Sequence, residues 1–471
     1  MVFSRRDLAR YGFLAGLTAL TARESTVAYT KQTWANGPDG LTPISADRLN
    51  YMENGIEAAA TSGGSSVPIP AWATTARPFD PQLGAFNLRP DNMKKWRAAR
   101  AKAAGSLGQA HVACHGDSIT YGAAAAGASV PKSPNSWPGR LRRRFDALYG
   151  AGGTGVIPMR ATMTSRPGDD PRIVFTGTIE DRTSGMFGLS SKRWLDGSGA
   201  NYVTFTTTCT EFWIYAIGTG SRPQVQVDGG TIMLIAGNTN TDPSLTDPDQ
   251  EAGYWKKSPD DGFGQVVTKI PAGALGSHAL KVRAPSNNTS YVQIHALEAR
   301  IPNQGVRVSN LGYNGISTAE MILDDTTYGL QGMAQAFDMV KADCAVLLLS
   351  MNDFQVHRTK AAFKANLTTL VQRQKASGGF NANGDVLLVN CAQPDYTQIP
   401  ADHVLTPPMT DYYTAMYEVA DEQDVPLLDL AHRWKDFSTS NALGYFADSL
   451  HPGDLGGEDI AQAVFNVLQA V

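Results

Sequence analysis

Four residues whose chemistry suits acyl transfer lie at turn-like positions in three separate stretches of the sequence. They are Ser118 in HGDSITYG, Asn352 in LLLSMND, and Asp448 and His451 in DSLHP. A serine hydroxyl is a poor nucleophile until a neighbouring base removes its proton, and an imidazole with a pKa near neutrality suits that task. His451 is therefore the expected base for Ser118.

The spacing of Asp448 and His451 supplies a second role. The imidazole keeps the correct tautomer only if an acceptor holds its far ring nitrogen. Asp448 precedes His451 in the same loop or first helical turn and can reach that nitrogen. The sequence thus predicts a catalytic triad of Ser118, Asp448 and His451, to which hydrogen-bond donors for an oxyanion must be added.

The segments that must position these residues alternate between apolar strands and amphipathic helices. Such alternation indicates a parallel sheet covered on both faces by helices. The expected helices span residues 90–104, 136–149, 318–332, 361–375, 410–422 and 455–471. The expected strands span residues 111–114, 345–350, 386–391 and 426–428. Ser118 follows the first of these strands, which would present it at the carboxyl edge of the sheet.

Residues 150–301 have a sequence pattern typical of β-strands. Short stretches with period-two alternation, such as NYVTFTTT and YVQIHALEARI, are separated by Gly, Asn, Asp and Pro. About eight short strands over ~150 residues indicate a β-sandwich or jelly roll. Because helix-and-strand alternation resumes afterwards, we interpret the β-rich part as an insertion into the α/β fold.

Four motifs in chain order resemble the SGNH (GDSL-type) hydrolase family over residues 90–149 and 306–471. They are GDSIT (116–120), VSNLGYNGIS (308–317), LLLSMND (347–353) and DSLHP (448–452). The resemblance implies a three-layer α/β/α fold with a flavodoxin-like parallel sheet and a serine esterase activity. It also implies an oxyanion hole formed by the Ser118 and Gly315 backbone amides and the Asn352 side-chain amide. The family usually has glycine where this sequence has Ser350, so we expect a slightly smaller or more polar acyl pocket.

Further residues are expected to contact substrate. His115 and Asp117 precede the serine, and Tyr313 lies in the second motif. Trp194 and Trp255 lie in polar stretches of the insert, which resembles accessory domains of carbohydrate O-acetylesterases of this family. Two alternatives stay open: Asp117 is also a helix N-cap candidate, and the tryptophans could equally pack the core of the insert.

No metal or organic cofactor is expected, because acyl transfer by an activated serine needs none. The four cysteines form no CxxC motif or Cys/His cluster, and three of them lie in apolar, strand-like runs. Buried, reduced thiols are the preferred interpretation.

Composition excludes two classes of protein. With 40 basic and 44 acidic residues among 471, the net charge is −4, and there is no general basic field for nucleic acid. The longest apolar runs have about ten residues, too few for the ~20 that cross a bilayer as a helix. A globular chain of about two to four domains is expected.

The N-terminal residues carry two competing resemblances. Residues 4–20, SRRDLARYGFLAGLTAL, resemble a twin-arginine export signal with a poor cleavage site. Residues 29–59 resemble the N-terminal segment of minor tail and fibre proteins of phages that infect actinobacteria. A helix predicted over 46–60 presents an apolar stripe, which could pack on its own domain or on another subunit.

These observations divide the chain into four parts. We expect a helical and extended attachment or oligomerisation segment over 1–66, and the first part of the hydrolase domain over 67–149. The inserted β-sandwich would span 150–305, and the second part of the hydrolase domain 306–471. The linker TSGGSSVPIP at 61–70 marks the first boundary.

The leading hypothesis is a phage tail esterase that removes acyl or acetyl groups from polymers or lipids of the host cell envelope. Its partners would be that ester substrate, other tail proteins and further copies of the chain, a trimer if the tail resemblance holds. The second hypothesis is the same enzyme exported through the twin-arginine route as a bacterial lipase or carbohydrate esterase. The third is a non-catalytic receptor-binding tail protein that kept the hydrolase fold as a scaffold.

Overall fold

The structure is a computed structural model, and it describes a defined part of the chain. The described residues are 68–125, 132–159, 170–182, 191–194, 200–217, 223–234, 255–256, 264–284, 292–322, 336–337, 340–375, 383–396 and 407–471. For 182, 191–194, 217, 234, 255–256 and 264–266 the description is of the backbone alone. The attachment segment and the export signal expected over residues 1–66 lie outside the described residues.

The strands and helices are numbered in chain order over the described residues. The strands are β1 (Phe79–Asp80), β2 (Ala85–Phe86), β3 (Ala110–Gly116), β4 (Gly153–Pro158), β5 (Ile173–Thr176), β6 (Glu180–Arg182), β7 (Ser191–Trp194), β8 (Tyr202–Ile217), β9 (Gln224–Val227), β10 (Met233–Leu234), β11 (Trp255–Lys256), β12 (Gly264–Arg283), β13 (Val292–Arg300), β14 (Val306–Gly312), β15 (Cys344–Leu348), β16 (Asp385–Val389) and β17 (Leu427–Leu428). The principal helices are α1 (Ala73–Ala76), α2 (Lys94–Ala104), α3 (Ser118–Tyr121), α4 (Lys132–Asn135), α5 (Trp137–Tyr149), α6 (Thr318–Ile322), α7 (Met351–Gln355), α8 (Lys360–Lys375), α9 (Met409–Glu422), α10 (Leu430–Trp434), α11 (Phe437–Ala442) and α12 (Asp454–Ala470).

Seven strands form a mixed sheet in the order β1-β2-β17-β16-β15-β3-β14. Five of them, from β17 to β14, run parallel to one another. Their order along the chain is 2-1-3-4-5 from β14 to β17, which is the flavodoxin-like order. β1 and β2 add an antiparallel hairpin at one edge, so the predicted purely parallel sheet is corrected to a mixed one.

The central strands carry the main core. Every residue of β3, β14 and β15 is buried, as expected for strands covered on both faces. The core continues into helices, where α5 packs against α12 and α8 packs against α6 and α9. All four cysteines are buried with free thiols, as predicted.

The helices begin and end where the sequence signals them. Ser136 caps α5 by accepting a hydrogen bond from the Gly139 amide at 3.4 Å, and a proline lies in the first turn. Leu141 and Phe145 on this helix are buried, whereas Leu148 in its last turn is 55% exposed. No helix in the described part of the chain has the length and apolar character needed to cross a membrane.

The β-rich segment forms a second, antiparallel sheet of ten strands, with β8 and β12 as its long central pair. The described strands are joined in one hydrogen-bonded network, so a jelly roll of two separate sheets stays a prediction. Along β8, odd-numbered residues up to Cys209 face the core of the insert, and even-numbered residues from Phe212 onward do so. The change coincides with a shift in the register between β8 and β12. This shift turns Trp213 and Tyr215 away from the core of the insert.

The two sheets meet along a buried interface. Trp213 and Tyr215 of the insert pack with Ala113 of β3 and Leu311 of β14. The described residues from 68 onward belong to one compact unit. The insert is therefore packed directly on the strand that leads to Ser118.

The insert also leaves and re-enters the α/β fold at one place. Ala151 at its start forms a parallel bridge with Val306, the residue that directly follows its end. The Ile301 amide donates to the Gly152 carbonyl at 3.1 Å. The chain thus enters and leaves the insert side by side, next to the first residue of β14.

Candidate active site

Three parallel strands end in register at the site. Gly116, the last residue of β3, pairs with Gly312 on β14 and with Leu348 on β15. Ser118, Gly315 and Asn352 follow these three positions within a few residues. Because parallel strands end at the same edge of a sheet, the register places all three residues at one edge.

The turn that presents Ser118 depends on glycines at close contacts. A Cβ on Gly116 would lie 2.5 Å from the Leu348 carbonyl oxygen, and one on Gly312 would collide with the Tyr121 amide. Only glycine lets α3 press against the ends of both strands. The Asp117 side chain caps this short helix by accepting from the Ile119 amide at 2.8 Å.

Ser118, His451 and Asp448 form a connected chain of hydrogen bonds. His451 Nε2 lies 2.9 Å from Ser118 Oγ, and His451 Nδ1 lies 3.0 Å from Asp448 Oδ2. With Nδ1–H donating to the carboxylate, Nε2 is free to accept the serine proton. Ser118 lies at the start of α3, and Asp448 and His451 share one loop near the end of the chain; the structure brings the two segments together.

The Asp448 carboxylate is held by its own loop. Its Oδ1 accepts the Leu450 amide at 2.8 Å and the His451 amide at 2.6 Å. Partial burial alone would raise the pKa of Asp448, but these amides and the imidazole lower it below the ordinary aspartate value. Asp448 is therefore an anion near neutral pH, as an acceptor for imidazolium must be.

Two amide donors lie beside the serine turn. Asn352, in the first turn of α7, donates through Nδ2 to the Ile316 carbonyl at 2.8 Å, which fixes the plane of its side-chain amide. Gly315 has a φ of +77°, and its backbone amide bonds to no other described residue. Ser118 is the first residue of α3, so its amide has no partner within the helix.

The reason for glycine at position 315 is conformational. A Cβ there would meet no protein atom within 4 Å, so crowding among protein atoms does not require glycine. Its positive φ does, because a residue with a Cβ rarely adopts that conformation.

Ser350 has an unusual backbone. It is buried, its φ is +136°, and its hydroxyl lies 3.0 Å from the Cys391 sulfur. That φ belongs to a region populated mainly by glycine, which is the residue usual in the resembled family. The chain keeps the glycine-like conformation but carries strain there.

Two residues expected to contact substrate, His115 and Asp117, are buried instead. The His115 ring is fully buried and stacks on Phe337 with 4.0 Å between ring centroids, so the expectation that it lines the cleft is corrected. Burial lowers its pKa to about 3, and the ring is neutral. Asp117 is also buried, and it caps α3 as its alternative role predicted. Strand alternation places His115 on the same face of β3 as Ala113, which is buried between the insert and Ala336.

Burial has a large effect on Asp117. It raises the pKa of this carboxyl from 3.8 to about 7, and the bond from the Ile119 amide only partly opposes it. The carboxyl next to the serine therefore titrates near neutrality.

Tyr313 and the two tryptophans complete the expected contacts. The Tyr313 amide donates to the Gly116 carbonyl at 2.9 Å, and its side chain is partly buried against the main core. The side chains of Trp194 and Trp255 lie outside the described part of the structure, so their contribution stays a prediction.

Sequence reasoning missed the residues that hold the Gly315 loop. Asp353 and Arg358 contact Ser317 and Thr318, just after Gly315. Asp353 lies next to Asn352 in the third motif, which was the only sequence signal for it. Within the described ranges, no cluster of three His, Cys, Asp or Glu side chains is placed to hold a metal ion.

Comparison with known proteins agrees with this geometry. Residues 274–458 match the model of the GDSL-like Lipase/Acylhydrolase family. The match includes Asn352, Asp448 and His451 and leaves Ser118 outside, so the geometry supplies the link to the serine. No curated protein matches the sequence.

Several solved structures are similar to this chain at low identity, and the first of them shares its fold. A peptidoglycan O-acetylesterase is 14% identical with a TM-score of 0.58, and the alignment covers 82% of this chain and 100% of that one. A carbohydrate esterase family 2 enzyme with a carbohydrate-binding domain from Corynascus thermopiles (Myceliophthora fergusii) is 14% identical, with 62% and 99% covered and a TM-score of 0.28. The M. smegmatis aryl esterase is 17% identical, with 35% and 78% covered and a TM-score of 0.27.

The family match and the fold agree with the arrangement of the site. The chain contains a GDSL-like hydrolase domain with the SGNH α/β fold and a mixed sheet. It is a carboxylic ester hydrolase.

Proposed function

We propose that Ser118 is the nucleophile of this esterase, His451 its general base and acid, and Asp448 the carboxylate that orients His451. The observation that carries the proposal is the pair of distances from His451, 2.9 Å to Ser118 Oγ and 3.0 Å to Asp448 Oδ2. Side chains at such distances are ready for proton transfer without rearrangement.

The reaction follows from these contacts. Ser118 Oγ attacks the ester carbonyl carbon while its proton passes to His451 Nε2, and the carbonyl oxygen becomes an oxyanion. The Ser118, Gly315 and Asn352 amides donate to that oxyanion. When the intermediate collapses, the bond from carbon to the alcohol oxygen breaks and His451 returns its proton to the departing alcohol. Water then repeats the sequence on the acyl-enzyme and releases the acid.

We propose acyl or acetyl esters on polymers or lipids of a host cell envelope as the substrate. The support is the fold, which this chain shares with a peptidoglycan O-acetylesterase over 82% of its length, and the exposure of the site. Asp448 and the Gly315 backbone lie at the surface, where the ester groups of a polymer can reach them. Trp194 and Trp255 of the insert are proposed sugar contacts.

The proposed setting is a phage tail, supported by the resemblance of residues 29–59 to minor tail proteins. The chain would then lie in the virion, contact other tail proteins and form a homo-oligomer such as a trimer. Mass spectrometry of purified virions, N-terminal sequencing and light scattering test this setting. A mature chain that begins after residue 20 would favour twin-arginine export of a bacterial lipase or carbohydrate esterase.

The activity is tested with 4-nitrophenyl esters from acetate to palmitate, alongside purified cell-wall material. Ser118→Ala should abolish turnover of every ester that the wild type hydrolyses, while Ser277→Ala, on the exposed surface of the insert, should keep it. Turnover of acetate alone would identify a deacetylase, and preference for long chains would identify a lipid esterase.

A serine-reactive fluorophosphonate probe distinguishes an active esterase from a non-catalytic protein with the hydrolase fold. The wild type should be labelled at Ser118 and the alanine variant should not. An unlabelled wild type that hydrolyses no ester would overturn the triad proposal and favour a receptor-binding protein on a hydrolase fold.

A further inference from the structure

The loop after Gly315 is bonded to the helix that carries Asn352 through two residues, Ile316 and Thr318. The Ile316 carbonyl accepts from Asn352 Nδ2 at 2.8 Å. The Thr318 amide donates to Asp353 Oδ2 at 3.0 Å, and the Thr318 hydroxyl donates to Asp353 Oδ1 at 2.6 Å. Two segments that each supply one oxyanion donor are therefore tied together mainly through one carboxylate.

Arg358 completes the connection. Its Nε donates to Asp353 Oδ1 at 2.6 Å, and its Nη2 donates to the Ser317 hydroxyl at 3.0 Å. The guanidinium thus neutralises the carboxylate and bonds to the same loop. Burial raises the pKa of Asp353, while the bonds from Thr318 and Arg358 oppose that rise.

The Asp353 carboxylate cannot reach a substrate. The side chain is 0% exposed, and its acceptor oxygens are used by Thr318 and Arg358. Any effect of Asp353 on catalysis must therefore pass through the residues that it holds.

We propose that Asp353 is a positioning residue for the oxyanion hole, fixing the Gly315 amide relative to the Asn352 side chain. This inference rests on the proposed function, because it assumes that these two amides bind the oxyanion. Donors aimed at the oxyanion stabilise the transition state only if their spacing is held, and an error of about 1 Å can cost ~100-fold in rate.

A second buried aspartate provides a matched comparison. Asp429 is 2% exposed and accepts from Asn390 Nδ2 at 2.7 Å, Tyr417 Oη at 2.6 Å and the His432 amide at 2.8 Å. It has as many bonds as Asp353 but connects α9, α10 and the residue after β16 instead of the two donor segments. Its loss should affect stability alone.

The test is Asp353→Asn, with Asp429→Asn as the control, in the full chain on the best 4-nitrophenyl ester. An asparagine offers one acceptor oxygen where two are needed and turns an NH₂ toward a donor. We expect kcat to fall about 10- to 100-fold with KM changed less than about threefold. Asp429→Asn should keep kcat within about threefold at temperatures where it is folded.

A double-mutant cycle identifies the route of the effect. If Asp353 acts through the oxyanion hole, Asp353→Asn should cost less than about threefold in a background that already carries Asn352→Ala. Full additivity of the two losses, or an equal loss in the Asp429 control, would overturn the proposal.

A milder variant keeps the proposal testable if Asp353→Asn does not fold. Thr318→Val preserves the side-chain volume and removes only the hydroxyl, which donates to Asp353 and accepts from Asn366. A loss in kcat of about three- to tenfold with KM unchanged is expected, and an unchanged kcat would overturn the proposal. Failure of the esterase assignment would look different, because Ser118→Ala would then remain active.

Discussion

The catalytic edge and the interface between the two sheets use carboxylates in opposite ways. The Asp448 side chain at the edge is 51% exposed, and the only side chain that it bonds to in the described residues is the His451 imidazole. Glu298 at the interface is 0% exposed and bonds to Tyr215 at 2.8 Å, to Arg300 at 2.8 Å and to Arg307. The Asp448 carboxylate lies beside an imidazole that can gain or lose a proton, whereas the Glu298 carboxylate is buried in an ion-pair cluster between the two sheets.

The difference in partners explains the difference in role. Burial alone would raise the pKa of Glu298, but the Arg300 and Arg307 guanidinium groups lower it overall. Both guanidinium groups keep their charge at any working pH, so the protonation of this cluster does not change. In the proposed reaction, by contrast, His451 changes its charge. Asp448 is thus suited to its proposed role beside His451, whereas Glu298 fixes the insert to β14 through Arg307.

Asp448→Asn should give the largest change and test the catalytic half of this comparison. The asparagine oxygen can keep the bonds from the Leu450 and His451 amides, but its NH₂ would face Nδ1 and impose the wrong tautomer. We expect kcat to fall by about 10²- to 10⁴-fold with little change in melting temperature. Asp454→Asn, an exposed acid on the adjacent helix, should keep full activity; equal losses in both variants would contradict the assignment.

Glu298→Gln should lower stability and leave kcat unchanged. It leaves the buried Arg307 and the half-buried Arg300 guanidinium groups without a counter-charge, and the free energy of unfolding should fall by about 3–5 kcal/mol. Chemical denaturation measures the loss, and kcat should be unchanged while the protein is folded.

Glu211→Gln on the same sheet is the control for that loss. Its carboxylate bonds to Trp213 Nε1 at 2.9 Å and to one cation, Lys269, at 3.1 Å. A loss of about 1 kcal/mol is expected. If the two variants lose the same free energy, the interface cluster has no special role.

Asp117→Asn should change how stability depends on pH. In the folded protein Asp117 holds its proton up to about pH 7, whereas the unfolded chain releases it near 3.8. The native state binds more protons between these values, so this residue lowers stability as pH rises through that window. The variant should remove a decline on the order of 2–4 kcal/mol, seen as a flatter curve of melting temperature against pH.

The asparagine also caps a helix well, so the α3 turn should persist. An unchanged pH slope would mean that Asp117 titrates as an ordinary surface aspartate.

Ser350→Gly should give the smallest effect and a gain. Glycine adopts a φ of +136° without strain, and relief of that strain should exceed the lost contact with Cys391. We expect stabilisation of about 1 kcal/mol by denaturant titration. The same change at Ser440, which lies in α11, should destabilise; a loss at both positions would show that Ser350 is not strained.

Long periodic segments were predictable from the sequence. The helices over Lys360–Lys375 and Met409–Glu422 lie within one residue of their predicted starts, because each buries one apolar face over several turns. The pairing of Asp448 with His451 was also predictable, since both residues lie in one loop.

Other features could not be read from local patterns. The hairpin of β1 and β2 has two residues in each strand, too few to show a period. The His115 ring stacks on Phe337, which lies far along the chain, and the sequence does not encode that contact locally. Asp353 is visible as a residue beside Asn352, but its partners Thr318 and Arg358 became apparent only when the loop and the helix were placed together.

The side-by-side entry and exit of the insert has a consequence for how the protein folds. β3 and β14 are neighbours in the sheet, yet the whole insert separates them along the chain, and pairing two such distant strands is slow. A folded insert brings Ala151 to Val306 and so replaces a very long loop closure with a short one. The insert should therefore fold before β14 joins β3, and the edge that holds Ser118 should be among the last parts of the sheet to assemble.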